Sequence, residues 1–264
     1  GEGCGPQVAE LPHEPLRVAD LDIAPGVTSD EGDGDAWPDR EAIDHERYLA
    51  AWRQHHGMSS VNLITARGCT YLCNWCSHSV YGHSHRRRSP VNVADEVQWI
   101  VGRYHPDQLW YADDVFTISH PWLFGYAAEL KRRGLRVPFE TISRADRMMK
   151  EEVLQTLADM GCYRIWIGSE SGSQRILDGM ERGVSVEQVV WAAKAARRHG
   201  IQVGMFLMWG YPGEEIDDIA ATVAIGRPRT SAGSRCTSKF LVASFSAMAG
   251  SPSTRRAKRD SSRR

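Results

Sequence analysis

From about residue 61 onward, short apolar runs alternate with amphipathic stretches. "VNLITA" (61–66) is short, apolar and bounded by polar residues, which predicts a strand. "SPVNVADEVQWIVGRYH" (89–105) predicts a helix, with Val93, Val97, Ile100 and Val101 on one face and Ser89 or Asn92 as N-cap. The pair recurs as "QLWYAD" (108–113) with "PWLFGYAAELKRRG" (121–134), and as "RVPFETIS" (136–143) with "KEEVLQTLADMG" (150–161). It recurs again as "YRIWIGS" (163–169) with "SVEQVVWAAKAARRHG" (185–200), and as "IQVGMFLMWG" (201–210) with "EEIDDIAATVAI" (214–225). Five strand–helix pairs in succession predict parallel strands with covering helices, an α/β fold of the partial (β/α) barrel kind.

The rhythm is absent at both ends. Residues 1–60 are rich in Pro, Gly, Asp and Glu and predict a linker that ends in one short helix, "ERYLAAWRQHHG". Residues 226–264 are rich in Ser, Arg, Thr and Ala, and "FLVASFSAMA" (240–249) is their one apolar stretch. The expectation is a core domain over 61–225, truncated after its fifth unit, and a disordered basic tail over 226–264 that is not the native continuation of the barrel. The absence of an initiator methionine likewise suggests a chain that begins partway through a longer one.

Composition narrows the class. The 264 residues are 42% hydrophobic and 25% charged, as in an ordinary globular protein with a real core. No apolar run approaches the ~20 residues that a membrane-spanning helix needs, and the first ten residues are no signal peptide. The net charge of −1 divides into about +9 over 226–264 and −10 over the rest. The basic segment has almost no aromatic interleaving, so neither nucleic acid nor membrane is expected as a partner.

Of the six cysteines, Cys4, Cys162 and Cys236 are scattered, whereas Cys69, Cys73 and Cys76 crowd into "RGCTYLCNWCSH" (67–78) directly after the first strand. Clustered thiols without an export signal fit a reducing cytoplasm and metal binding better than a disulfide framework. Thiolates suit zinc or iron–sulfur clusters. A cubane held by three cysteines keeps one iron open for a small molecule, while a Cys3His zinc site would recruit His78, His83 or His85. Spacing in the loop leaves both open, and it also leaves open a structural zinc module or an inactive barrel fragment. The loops after the strands of a β/α barrel form its active face, so chemistry is expected there.

CxxxCxxC after the first strand resembles the radical S-adenosylmethionine (radical SAM) superfamily. "YADDVFT", "ISRADRM", "IGSESGSQRIL", "MERGVS" and "FLMWGYPGEE" resemble its cobalamin-dependent branch, and "AWPDREAIDHERYLAAWRQHHG" resembles that branch's link from an upstream cobalamin domain. The resemblance implies a 4Fe–4S cluster on Cys69, Cys73 and Cys76, S-adenosylmethionine on its free iron, and reductive cleavage to a 5′-deoxyadenosyl radical. It implies cobalamin in the full-length protein, on a domain absent from this chain, and methyl transfer or a related radical rearrangement of a small-molecule substrate. An electron donor such as flavodoxin or ferredoxin is implied as a partner. Residue by residue, it implies Trp75 near the adenine, Asp113 and Asp114 on the SAM ammonium, and Arg144 on its carboxylate. Glu170 and Ser171 would meet the ribose hydroxyls, and the turn of Gly210 and Pro212 would lie beside the adenine. "HRRRSP" (85–90) offers a basic run that would either bind a substrate anion or simply be solvated.

Overall fold

The computed structural model describes residues 37–76, 84–226 and the backbone of 241–246. A 3₁₀ turn, Arg40–Ala42, precedes helix α1, His45–His56. Strand β1, Ser60–Leu63, leads to a two-residue ribbon, β2 (Ala66–Arg67) with β3 (Arg86–Arg87). The remaining order is α2 (Pro90–Tyr104), β4 (Gln108–Tyr111), α3 (His120–Arg132), β5 (Phe139–Ser143), a 3₁₀ turn (Ala145–Met148) and α4 (Glu151–Met160). Then come β6 (Cys162–Glu170), α5 (Gln174–Gly179), α6 (Val186–Arg198), β7 (Gln202–Trp209), α7 (Ile216–Gly226) and β8 (Leu241–Ser246).

Six strands pair in parallel in the order β1-β4-β5-β6-β7-β8, so spatial order follows chain order and the sheet remains an open arc. The sixth strand corrects the sequence expectation: Leu241–Ser246 pairs with Gly204–Trp209 inside the span expected to be an unstructured tail. The local composition around it is Ser- and Arg-rich, and only pairing with β7 identifies it as a strand. The other expected tail residues, like the 1–36 part of the linker, lie outside the described residues.

Strand alternation divides the sheet into two faces. Leu109, Tyr111, Phe139, Ile165, Ile167, Val203, Met205 and Leu207 enter the core with Val93, Val97 and Ile100 of α2, Leu123 and Leu130 of α3, Leu154 of α4 and Val189 of α6. The intervening residues line the concave face. There Trp166 stacks on Phe206 at 5.2 Å and donates its indole N–H to Glu140 at 2.9 Å, so these rings are half-buried rather than part of the main core. Helices α1, α2, α3 and α6 begin where polar side chains cap them. Ser89 accepts from the Asn92 N–H with Pro90 at the first turn, and Ser185 and Gln188 form a reciprocal capping box.

Helix α7 seats against the turn after β6 with no room to spare. A Cβ on Gly172 would lie 2.3 Å from the Ala221 carbonyl oxygen and 2.7 Å from the Thr222 nitrogen, both rigid backbone atoms. Gly172→Ala should therefore cost about 1–3 kcal/mol through overpacking, read as a lower urea midpoint with unchanged slope. A midpoint equal to wild type would show that α7 is free to shift.

Candidate functional site

The cysteine loop leaves the sheet at its C-terminal rim, after the end of β1 and through β2. Asp113, two residues beyond β4, fixes this exit. It is buried, and its carboxylate accepts from the Thr65 N–H at 2.7 Å, the Ala66 N–H at 3.1 Å, the Thr65 hydroxyl, and Arg87 at 2.7 Å. These contacts stop β1 at Leu63, short of the expected 66, and turn the chain into the ribbon. The Asp113 carboxylate, expected at a ligand ammonium, is thus engaged by four protein donors. Asp114 lies within electrostatic reach of Cys69 and Cys76.

Four anchors hold the loop itself. The Asn74 N–H donates to the Met180 carbonyl at 3.0 Å and its amide to the Gly179 carbonyl at 2.7 Å. The Tyr211 hydroxyl bridges the Asn74 amide oxygen and the Gly179 carbonyl, which ties the "GYPGE" turn to the cysteines. Tyr71 lies under Arg144, whose guanidinium carbon is 3.6 Å from the ring centroid, and its hydroxyl meets Arg147. Cys73 is buried between two guanidinium groups, with Arg144 Nη1 and Arg182 Nη1 each 3.7 Å from its sulfur. Cys69 is half-buried and Cys76 exposed. Burial pushes all three thiols up; Cys73 further raises Cys69 and Cys76 electrostatically, Cys69 raises Cys76, and Arg144 lowers Cys69 and Cys73.

Arg144, expected on a ligand carboxylate, makes three polar contacts within the protein. Its Nε donates to Asp146 at 2.9 Å and its Nη2 to the Arg182 carbonyl at 2.7 Å, with Nη1 on Cys73. The reason is the 3₁₀ turn that follows β5, which brings Asp146 back under the arginine. Glu170 and Ser171 part company at the end of β6. Glu170, at φ 57°, turns inward, 3.7 Å from Arg182, and burial pushes its carboxyl up to about 8 against the opposing pull of Arg144. Ser171, expected at a ribose, lies at 3.0 Å from the Thr222 hydroxyl of α7 and accepts the Ser173 N–H. Gly210 adopts φ 79°, where a side chain would be strained, and donates its N–H to Glu214 at 2.6 Å; Pro212 and Trp75 are exposed.

Within the basic run Arg86 is exposed, whereas the next two arginines are committed to protein partners. Arg87 pairs with Asp113 and lies 4.1 Å over the Trp122 ring, and Arg88 pairs with Glu96 at 2.5 Å. Sequence reasoning passed over Arg182 within "MERGVS". Its neighbours Glu181 and Gly183 both have positive φ (52° and 61°), which folds Arg182 inward between Cys73 and Glu170. Among the described residues, no three His, Cys, Asp or Glu side chains gather to hold one metal ion; His78 and His83 lie outside them.

The sequence model of the Radical SAM superfamily matches residues 63–224, more than half of the chain, from the end of β1 into α7. The chain belongs to the Radical SAM superfamily. Among curated relatives of this radical SAM chain is an uncharacterised methyltransferase of Pyrococcus horikoshii, 28% identical over 167 residues, covering 62% of this chain and 36% of the relative. Another is cytidylyl-2-hydroxyethylphosphonate methyltransferase of Streptomyces wedmorensis, 32% identical over 171 residues, covering 61% and 31%. The radical SAM methyltransferase TsrM of Kitasatospora setae, solved with tryptophan substrate and a SAM analogue, superimposes with a TM-score of 0.59 at 23% identity, covering 67% of this chain and 34% of that one. A second structure of it holds cobalamin and a [4Fe–4S] cluster, with a TM-score of 0.59 at 22% identity, covering 67% and 33%. The chain thus spans about a third of the length of these relatives. No helix among the described residues is long and apolar enough to cross a membrane.

Proposed function

We propose that this radical SAM chain carries the cluster- and SAM-binding domain of a cobalamin-dependent methyltransferase. The observation that carries the reading is the thiol loop. Three soft donors sit on one loop at the C-terminal rim, close enough to influence one another's charge, with two guanidinium groups at hand to offset thiolate charge. That donor set fits an iron–sulfur cluster. In combination with SAM, a bound 4Fe–4S cluster supplies one-electron cleavage of the sulfonium and a 5′-deoxyadenosyl radical.

In this reading Cys69, Cys73 and Cys76 hold three irons and leave a fourth open. Glu170 and Asp114 supply polar groups towards SAM, and Trp75 and the Gly210–Pro212 turn border its adenine. Asn74 and Tyr211 keep that turn and the cysteine loop in one register. Asp113, Arg144 and Ser171 shape the rim from behind. The methyltransferase names of the Pyrococcus, Streptomyces and Kitasatospora relatives support methyl transfer as the reaction. The cobalamin held by the Kitasatospora enzyme supports a cobalamin-binding region elsewhere in the full protein. A small molecule is the proposed substrate, and a flavodoxin or ferredoxin the proposed electron donor, in the cytoplasm.

The test is anaerobic reconstitution with iron and sulfide. Wild type should take up about four irons per chain with a broad visible absorbance, and Cys73→Ala should lose both while retaining its fold by circular dichroism. A colourless protein holding one zinc would overturn the proposal.

A further inference from the structure

The three thiols of the loop do not share one environment. Cys73 alone of the three is buried, and it receives two guanidinium N–H groups, from Arg144 and Arg182, each 3.7 Å from the sulfur. Both arginines are almost wholly shielded from water, at 3% and 6% exposure. Both are also fixed. Arg144 is held by Asp146, the Arg182 carbonyl and the Tyr71 ring, and Arg182 Nη2 donates to the Gly168 carbonyl at 2.9 Å. Arg182 Nε lies 3.7 Å from Glu170, beyond hydrogen-bond reach, and has no hydrogen-bond partner. On the opposite side, Asp114 stands within electrostatic reach of Cys69 and Cys76. Arg144 also acts on Cys69 and Glu170 on Cys73 and Cys76, but the two direct guanidinium contacts fall on the Cys73 sulfur.

We infer that Arg144 and Arg182 set the reduction potential of the cluster through Cys73, raising it by N–H···S contact in a water-poor pocket. This inference rests on the cluster reading above. Reduction adds one electron from a low-potential donor and no proton, and the added negative charge is shared by the iron-bound sulfurs. Hydrogen bonds and cations at a ligand sulfur favour the more negative, reduced level. Low local dielectric strengthens the effect, because little solvent screens the pair. Each guanidinium has a carboxylate near it, Asp146 at 2.9 Å from Arg144 and Glu170 at 3.7 Å from Arg182, and both keep their contact with the sulfur.

The experiment is a redox titration of the reconstituted chain with dithionite and mediators, followed by the electron paramagnetic resonance of the reduced cluster. Iron and sulfide are counted first in every sample. Arg182→Gln should shift the midpoint to a more negative value, Arg182→Lys should stay closer to wild type, and Arg144→Gln should shift it in the same direction. Arg198→Gln, which removes a surface cation paired with Glu151, should leave the midpoint unchanged. Because Arg182 also holds the Gly168 carbonyl, a loss of iron in Arg182→Gln moves the test to Arg144→Gln, which reads the second guanidinium. Wild-type midpoints in fully loaded glutamine variants would overturn the inference while leaving the cluster reading intact. Absence of any cluster in wild type would overturn both.

Discussion

Asp113→Ala is expected to destabilise the protein by about 3–5 kcal/mol, the cost of removing one partner from a buried ion pair. The side chain is 1% exposed, and four donors converge on it. Without it, Arg87 would keep only the Phe116 carbonyl, at 2.9 Å, and the Trp122 face, while its Nε and Nη1 already lack hydrogen-bond partners. The Thr65 and Ala66 N–H groups would be stranded too, and an unsatisfied buried donor costs about 1–3 kcal/mol. The measurement is urea unfolding followed by circular dichroism, with the slope checked so that the midpoint reports stability. Because Thr65 and Ala66 start the cysteine loop, iron uptake on reconstitution should fall as well. A variant within about 1 kcal/mol of wild type that still loaded iron would remove Asp113 as the hinge of this loop and reopen it as a ligand contact.

The contrast between Asp113 and Asp114 shows what the sequence could and could not tell. Two adjacent carboxylates after a strand look equivalent in "YADD", yet neighbouring side chains leave an extended chain in opposite directions, so one is drawn into the rim and the other stays towards the thiols. The same divergence separates Glu170 from Ser171. The five long alternations were legible because each rests on a period: two for strands, 3.6 for helices. The β2–β3 ribbon rests on two residues per strand, too short for any period, and α5 spans Gln174–Gly179, barely more than one turn. β8 was hidden because an apolar run in a Ser- and Arg-rich setting carries no signal of its own until β7 is beside it. The thiol loop was fully legible, since its spacing is local. Arg182 was not, because its approach to Cys73 crosses 109 residues of chain and depends on two positive-φ neighbours.

Glu96 makes the last of these points measurable, since it too escaped a reading based on apolar pattern. It lies three residues after Val93 and one before Val97, on the buried face of α2, where a carboxylate must have partners. Its partners come from distant segments. Arg40, ahead of α1, reaches it at 2.7 Å, and Arg88, after the cysteine loop, at 2.5 Å. Arg40 also donates to the Asn62 carbonyl of β1, the first strand in the sheet order, and Arg88 to the Ile64 carbonyl. One carboxylate thus fastens the entering segment and the returning hairpin to the same strand. Glu96→Ala should cost about 3–5 kcal/mol by leaving two guanidinium groups without their buried counter-charge. Limited trypsin digestion should then cut first at Arg40, which wild type shields, before any cleavage in α2 to α6. Glu96→Gln, which keeps the shape and one acceptor, should fall between the two. If Glu96→Ala unfolds at the wild-type urea concentration and Arg40 stays protected, the triad does no more than an exposed ion pair, and the edge of β1 must be held by the packing of α1 alone.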